Sequence, residues 1–228
     1  MSEPDVLTDV MDLLRVRGAV MAKVRAHAPW GLRLPQNPGA SFHAIIVGSC
    51  WIRVGTRVAR ELLPGDVVLL PRGTSHTLSS GPTSAAQPWD RASKAQARSA
   101  TGEIVLDGTG ASTHVICAAY DYDHDVAHPL LGLLPHVLVL SERDAPENGP
   151  LASTLRLLRH ELATARAGGS AIVNRLIEIL FVHMVRAWVT ERAADDASWL
   201  GALRDPIVAR ALTVMHGDPA SAWTVETL

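Results

Sequence analysis

The sequence predicts an α+β protein whose strands precede its helices. Between residues 19 and 80, short runs of apolar residues are separated by turn residues, among them Gly48, Gly55, Gly65 and Gly73. After Gly149 the apolar residues recur at helical spacing instead. Because the two kinds of element occupy separate parts of the chain, alternating βαβ units and a parallel sheet are not expected.

Composition excludes several classes of protein. The chain has 228 residues, of which 47% are hydrophobic, so it can bury a substantial core. A net charge of -2 gives no general attraction to nucleic acid. With two cysteines, Cys50 and Cys117, no disulfide framework is expected. The sequence shows no secretory signal and no run of about 20 apolar residues that would span a membrane. We expect a cytoplasmic protein without a membrane contact.

The β part is predicted to follow a short amphipathic helix over residues 6–14. The runs predicted as strands before residue 81 are 20–24, 31–34, 42–47, 51–54, 57–62, 67–70 and 76–78. Together they favour a small antiparallel barrel or sandwich.

The segment 81–113 is rich in Ser, Ala, Gly and Pro, which predicts a mobile surface excursion containing one weak strand at 104–106. A strand at 114–122 and an apolar run at 137–140 end the β part.

Two amphipathic helices are predicted next, as an antiparallel hairpin. Ser170 is the expected N-cap of the second helix. The apolar stripes of the two helices are Leu151, Leu155, Leu158 and Leu162, and then Val173, Leu176, Ile177, Leu180, Met184 and Trp188. We expect these stripes to pair with a second subunit in a homodimer, although helices that pack on their own barrel show the same pattern.

Further helices are predicted at 199–203 and, after Asp205 and Pro206, through His216.

A local motif in the β part has a recognisable order. The string GDVVLLPRGTSH begins at Gly65 and ends at His76, and it resembles the second motif of the cupin family as far as that histidine. In that motif the glycines and Pro71 turn the chain so that the histidine points inside. Ser80 stands where the family has asparagine. The resemblance implies a jelly-roll barrel over residues 1–140.

The first cupin motif is only partly present, in the string FHAIIVGSCWI. It supplies His43 and Gly48, but Ile45 and Val47 stand where the family has histidine and glutamate. A divalent metal site in an enzymatic cupin offers three histidines and a glutamate. The missing ligands count against an oxygenase or an isomerase, so we expect no enzymatic activity.

A reduced metal site is one interpretation of the remaining histidines. His43 and His76, with Cys117 as third ligand, would suit Zn²⁺. His114 and Cys117 are three positions apart on one strand, so only one of them faces the interior, and the cysteine is favoured because it is more often buried. Alternatively, the histidines hydrogen-bond to each other or to backbone, and Cys117 is an ordinary core residue. Further interior candidates are Trp30, Trp51 and Tyr120.

The string DPIVARALTVMHGDPASAWTVETL, residues 205–228, resembles the opening of the AraC-type helix-turn-helix domain. The resemblance implies that Trp223 packs under that domain and that Thr224 caps its next helix. We expect the parent protein to continue for about 80 residues and to contact DNA through them. The alternative is an ordinary terminal helix with a frayed tail.

The order of the three parts is similar to that of AraC-type regulators with a cupin-like sensor. The resemblance implies a sensor domain at 1–140, a helical dimerisation and linker region at 150–203, and an incomplete DNA-binding domain at 205–228. A small-molecule effector would bind in the barrel and favour one arrangement by binding it more tightly. Two other functions stay open, a metal-dependent cupin enzyme and a constitutive dimerisation module that binds no effector.

Overall fold

In the computed structural model, two β-sheets are followed by three helices. The described residues are 16–56, 58–96, 103–121, 133–144, 149–164, 166–192, 206–217, 221–225 and 227. The helices predicted at 6–14 and 199–203 lie outside them. The strands are β1 (Arg17–His27), β2 (Gly31–Leu34), β3 (Ala40–Val47), β4 (Cys50–Val54), β5 (Val58–Leu62), β6 (Asp66–Leu70), β7 (His76–Ser79), β8 (Gln87–Pro88), β9 (Ile104–Leu106), β10 (Ser112–Asp121) and β11 (Leu138–Ser141). The helices are α1 (Trp89–Gln96), which lies between β8 and β9, α2 (Pro150–Ala163), α3 (Gly169–Arg192) and α4 (Pro206–Gly217).

The strands form two sheets that face each other. The six-stranded sheet has the order β11-β6-β3-β10-β1-β9, and the five-stranded sheet has the order β5-β4-β7-β2-β8. All pairings are antiparallel except those of β9 with β1 and of β8 with β2. One apolar core lies between the sheets and contains Leu32, Ile52 and Leu78 from the small sheet and Ile45 and Val68 from the large one. This jelly roll, called the barrel below, confirms the predicted fold class.

A second core covers the outer face of the large sheet. Successive residues of a strand point to opposite faces, so Ile45 of β3 faces the barrel interior while Phe42 and Ala44 face the helices. The buried side chains of both predicted helix stripes pack here, against β3, β6 and β10. The prediction that the stripes pair with a second subunit is therefore wrong, because the chain's own sheet covers them. Helical periodicity reveals an apolar face but not the surface that buries it.

Helix α3 is also joined to the sheet by polar contacts. The Tyr120 hydroxyl donates a hydrogen bond to the Ile177 carbonyl at 2.7 Å. The backbone N–H groups of Gly18 and Val20 in β1 donate to Glu178 Oε1 at 3.2 Å and to Asn174 Oδ1 at 3.4 Å. Among the described strands, β9 covers this edge of β1 only at residues 24–26. The side chains of α3 therefore satisfy backbone donors that a neighbouring strand would otherwise bind.

The segment after residue 80 differs from the prediction. The strand at 104–106 is confirmed as β9, but residues 87–96 are not a mobile excursion. Trp89 packs against the barrel core, and Ala92 of α1 is 3% exposed. Ala92 is one of the small residues that indicated a loop, and in the structure it belongs to the barrel core.

Two predictions about helix starts have different outcomes. Helix α3 begins at Gly169, so Ser170 lies in its first turn and is not the N-cap. The Gly168 carbonyl accepts the first helical hydrogen bond, from Ile172 N, with Gly168 at a positive φ of 81°. Helix α4 lies where the sequence predicted it.

Beyond α4, the Thr224 N–H donates to Thr227 Oγ1 at 2.9 Å, which is one half of a capping box. Within the described part of the chain, no helix combines the length and hydrophobicity needed to cross a bilayer.

Candidate functional site

One end of the barrel opens into a cavity of about 190 Å³, called the mouth below. Its back wall is formed by β3 and β10, where Ser41 pairs with Ala119 and His43 pairs with Cys117. The remaining wall residues are Met21, Leu34, Pro35, Gln36, Asn37, Pro38, Trp89 and Ala118. The wall is mostly apolar, with few polar groups aimed inward, as in a site for a small organic molecule.

His43, His76 and Cys117 lie together, with His43 and Cys117 lining the mouth and His76 lining the cavity beside it. His43 Nε2 lies 2.6 Å from His76 Nε2, and His43 Nδ1 lies 3.3 Å from Cys117 Sγ. His76 Nδ1 lies 2.7 Å from the Thr74 carbonyl oxygen. The three side chains thus form a continuous hydrogen-bonded row, and Cys117 rather than His114 faces inward.

The Thr74 carbonyl fixes the protons along this row. A carbonyl only accepts, so His76 Nδ1 carries the proton and His76 Nε2 accepts from His43 Nε2–H. His43 Nδ1 is then left to accept from the Cys117 thiol. Every polar atom of the row has a partner while both rings are neutral, which matches the interpretation that the histidines bond to each other and to backbone.

Burial keeps the row uncharged. It lowers the pKa of His76 to about 4, although the bond to Thr74 opposes the effect. Burial and the neighbouring His76 ring together hold the pKa of His43 well below 6.5. Burial raises the pKa of the Cys117 thiol far above its usual range. Cys117 is therefore a protonated thiol near neutral pH and not a nucleophilic thiolate.

This arrangement does not match a zinc coordination sphere. Nitrogens bound to one tetrahedral Zn²⁺ at about 2.0–2.1 Å lie roughly 3.3 Å apart, further than the 2.6 Å between His43 Nε2 and His76 Nε2. His43 also presents Nε2 to His76 and Nδ1 to Cys117, so the three groups do not surround a common point. Within the described residues, no group of three or more His, Cys, Asp or Glu side chains is arranged to hold a metal ion. Zinc binding at His43, His76 and Cys117 stays a prediction that requires His43 to turn.

A second cavity, of about 400 Å³, lies beside the mouth and is called the groove below. Arg33, Arg53 and Thr77 line it from the small sheet. It shares Leu34, Pro35 and Trp89 with the mouth.

Sequence reasoning missed Trp89 and proposed other aromatic residues in its place. Trp30 and Tyr120 are buried in the two cores, Trp51 is half-buried on β4, and none of the three lines the mouth or the groove. The available signal was the large aromatic side chain after Pro88, in a segment otherwise composed of small and polar residues.

Comparison with known proteins identifies the family. A family model described as a cupin matches residues 5–190. An AraC-like transcription regulator of Streptomyces lividans is 32% identical over 98% of this chain and 72% of its own length. Another from Streptomyces antibioticus is 30% identical over 98% of this chain and 73% of its own length. The transcriptional regulator AlkR of Acinetobacter baylyi is 25% identical over 98% of this chain and 74% of its own length.

Solved structures of ToxT from Vibrio cholerae are also similar, at a low level. One, determined without ligand, is 11% identical with a TM-score of 0.37, covering 92% of this chain and 67% of that one. Another, with an unsaturated fatty acid bound, is 10% identical with a TM-score of 0.37, covering 92% of this chain and 65% of that one. The family match and the Streptomyces relatives, which do not depend on these structures, confirm the resemblance found in the sequence: the chain belongs to the AraC-like transcription regulators, and its barrel is their cupin domain.

Proposed function

We propose that this chain binds a small-molecule effector in the mouth and that binding changes the placement of helices α2 and α3. In an AraC-family regulator, those helices connect the sensor to the DNA-binding domain. The proposal rests on one observation above all, the position of Met21. This residue lines the mouth, and it lies on the strand that α3 holds by side-chain hydrogen bonds.

Met21 lies at an irregularity of β1. The register between β1 and β10 shifts between Val20 and Ala22, which leaves Met21 in a β-bulge with 52% of its surface exposed. The backbone donors just before the bulge, at Gly18 and Val20, bond to α3. A ligand that contacts Met21 therefore contacts the part of β1 that is hydrogen-bonded to α3. It shifts the placement of the helices if it binds one arrangement more tightly than the other.

The chemistry of the mouth supports binding rather than catalysis. Among its described wall residues none is a carboxylate, His43 is held neutral, as is the adjoining His76, and Cys117 is a protonated thiol. General acid–base chemistry needs a group whose pKa lies near the working pH. The relatives are named as transcription regulators, which also supports a non-enzymatic role.

The effector experiment combines a thermal-shift screen of small metabolites with a variant that fills the mouth. Ala119→Trp places a large side chain in the opening from a half-buried position, and Ala59→Trp places the same side chain on the exposed edge strand β5 as the control. A compound that binds should raise the unfolding temperature of the wild type and of Ala59→Trp but not of Ala119→Trp. It should also slow hydrogen exchange at Gly18 and Val20. No stabilisation by any compound would contradict the proposal, as would a screen in which every stabilising compound still stabilises Ala119→Trp.

We also propose that the chain forms a homodimer. Its interface would be a different face of the helices from the apolar stripes that the sequence indicated. Large apolar side chains remain exposed on the outer surface of the helices at Leu157, Ile172 and Ile179. Sedimentation at micromolar concentration is expected to show a dimer, and Ile179→Glu is expected to weaken it at least tenfold, because it buries an unpaired charge. Val105→Glu, at an exposed apolar position on β9, is the control and should leave the dimer intact. A monomer at every concentration is the contrary result.

We infer further that DNA binding occurs through a helix-turn-helix domain whose first helix is α4. The capping-box contact between Thr224 and Thr227 supports a second helix beginning at Thr224. We place the protein in the cytoplasm, where transcription regulators of this family meet DNA.

A further inference from the structure

The groove contains a row of polar side chains that crosses three strands. Arg33 of β2 and Arg53 of β4 are both paired with Thr77 of β7, one on each side. Their neighbours Leu32 and Ile52 are in the barrel core, so the row lies on the outer face of the small sheet. Strands lie about 4.8 Å apart, so the two arginine backbones flank the threonine at roughly 10 Å from each other.

Among the described residues, neither arginine of this row has a carboxylate partner. The ion pairs formed by the described residues involve Arg25, Arg143, Arg159 and Arg175, and not Arg33 or Arg53. Arg53 Nε is buried and has no hydrogen-bond partner within the part of the chain that the structure describes. A buried donor without an acceptor is unfavourable, so a bound acceptor at this position would stabilise the fold.

The charges facing the groove leave a small positive excess. Two arginines line it, Asp90 of α1 faces them, and the neutral His76 adds no charge. Glu61 of β5 pairs with Trp51, two positions from Arg53 along β4. This balance suits one negative charge better than the two of a phosphate monoester, which Asp90 and Glu61 would repel.

Part of the groove wall is apolar. Leu34, Pro35, Pro88 and Trp89 stand beside the arginines and enclose a volume of about 400 Å³. That volume is within the range of small-ligand pockets, and an indole face with proline rings offers contact to a hydrocarbon body.

We propose that the groove binds a small monocarboxylic acid with an apolar body. Its carboxylate lies between the Arg33 and Arg53 guanidiniums, which donate to it, as does the Thr77 hydroxyl. Its hydrocarbon body lies against Trp89 and Pro88. The arginines that hold the carboxylate lie outside the mouth, although Trp89 lines both cavities. The site does not depend on the proposed effector function.

The test uses two probes of matched shape, cyclohexanecarboxylate and its neutral amide, titrated calorimetrically into the chain. The acid is expected to bind at least tenfold more tightly than the amide. Arg53→Gln and Arg33→Gln are each expected to weaken the acid at least tenfold, because each removes charge-assisted hydrogen bonds. Arg60→Gln, on the neighbouring strand β5 and outside the groove, should change the affinity less than twofold.

Several results would overturn the site. Equal binding of acid and amide would remove the role of charge, and tighter binding of inorganic phosphate than of the acid would contradict the preference for one charge. Unchanged affinity in Arg33→Gln, whose side chain is exposed and whose folding is not at risk, would place the acid elsewhere. Ala119→Trp, which fills the mouth, should change the affinity for the acid less than twofold. This variant therefore distinguishes a failure of the mouth proposal from a failure of the groove proposal.

Discussion

The Phe181→Ala variant is expected to lose about 3–5 kcal/mol of unfolding free energy and to loosen α3 from the large sheet. The Phe181 side chain is fully buried between α3 and the sheet. Its ring lies 4.9 Å from that of Tyr120, whose hydroxyl in turn bonds to the Ile177 carbonyl. Removing the ring leaves a cavity at the centre of the contact through which the barrel holds the helix. Urea unfolding followed by tryptophan fluorescence measures the loss.

The control for this variant is Val105→Ala on β9, outside the proposed dimer face. Because 40% of the Val105 surface is exposed, its truncation should cost less than about 1 kcal/mol. Hydrogen exchange adds a second measurement. In Phe181→Ala the Gly18 and Val20 amides, which bond to α3, should exchange faster than in the wild type. Similar losses in the two variants would mean that α3 does not depend on this core.

The sequence was informative where one local pattern determines one geometry. The glycines of GDVVLLPRGTSH have positive φ in the structure, 88° at Gly65 and 53° at Gly73. A Cβ at Gly73 would lie 2.1 Å from the Asn37 carbonyl oxygen, beside the mouth, so glycine is required there for close approach as well as for backbone angle. Strand alternation allowed only one of His114 and Cys117 to face inside, and the greater tendency of cysteine to be buried favoured Cys117, which lies beside His43.

The sequence was uninformative where the environment of a residue depends on a segment that is distant along the chain. The apolar pattern of α3 is the same whether a second subunit or the chain's own sheet buries its apolar face. The apolar residues on the outer face of the sheet, such as Phe42 and Tyr120, show that the sheet buries it. Trp89 was missed because the parallel pairing of β8 with β2, which brings α1 onto the barrel, has no local signal. The choice between a metal site and a hydrogen-bonded row depended on which nitrogen of His43 faces which partner, and spacing along the chain carries no such information.

The neutral histidine row makes the stability of the protein depend on pH. In the unfolded chain a histidine takes up a proton near pH 6.5, whereas folded His76 does so only near pH 4, because it is buried. Between these values the unfolded state binds more protons, so the unfolding free energy is expected to fall as the pH is lowered from 6.5 to 4. Above pH 6.5 both states are neutral at this site and the contribution is constant. The difference in pKa corresponds to roughly 3 kcal/mol for His76, and His43, whose pKa is also lowered, adds to it.

Urea unfolding at intervals from pH 7.5 to 4 measures this slope in the wild type and in His76→Gln. Carboxylates titrate in the same range in both proteins, so the difference between the two slopes isolates the histidine row. His76→Gln should be less stable at pH 7.5, because His43 loses its partner, yet it should lose less stability on acidification. His183→Gln is the control, since that histidine is only partly buried and its pKa is lowered by burial and by Arg186; it should remove a smaller part of the slope. Parallel curves for wild type and His76→Gln would show that the row is protonated in the folded protein, and the assignment of its hydrogen bonds would then be wrong.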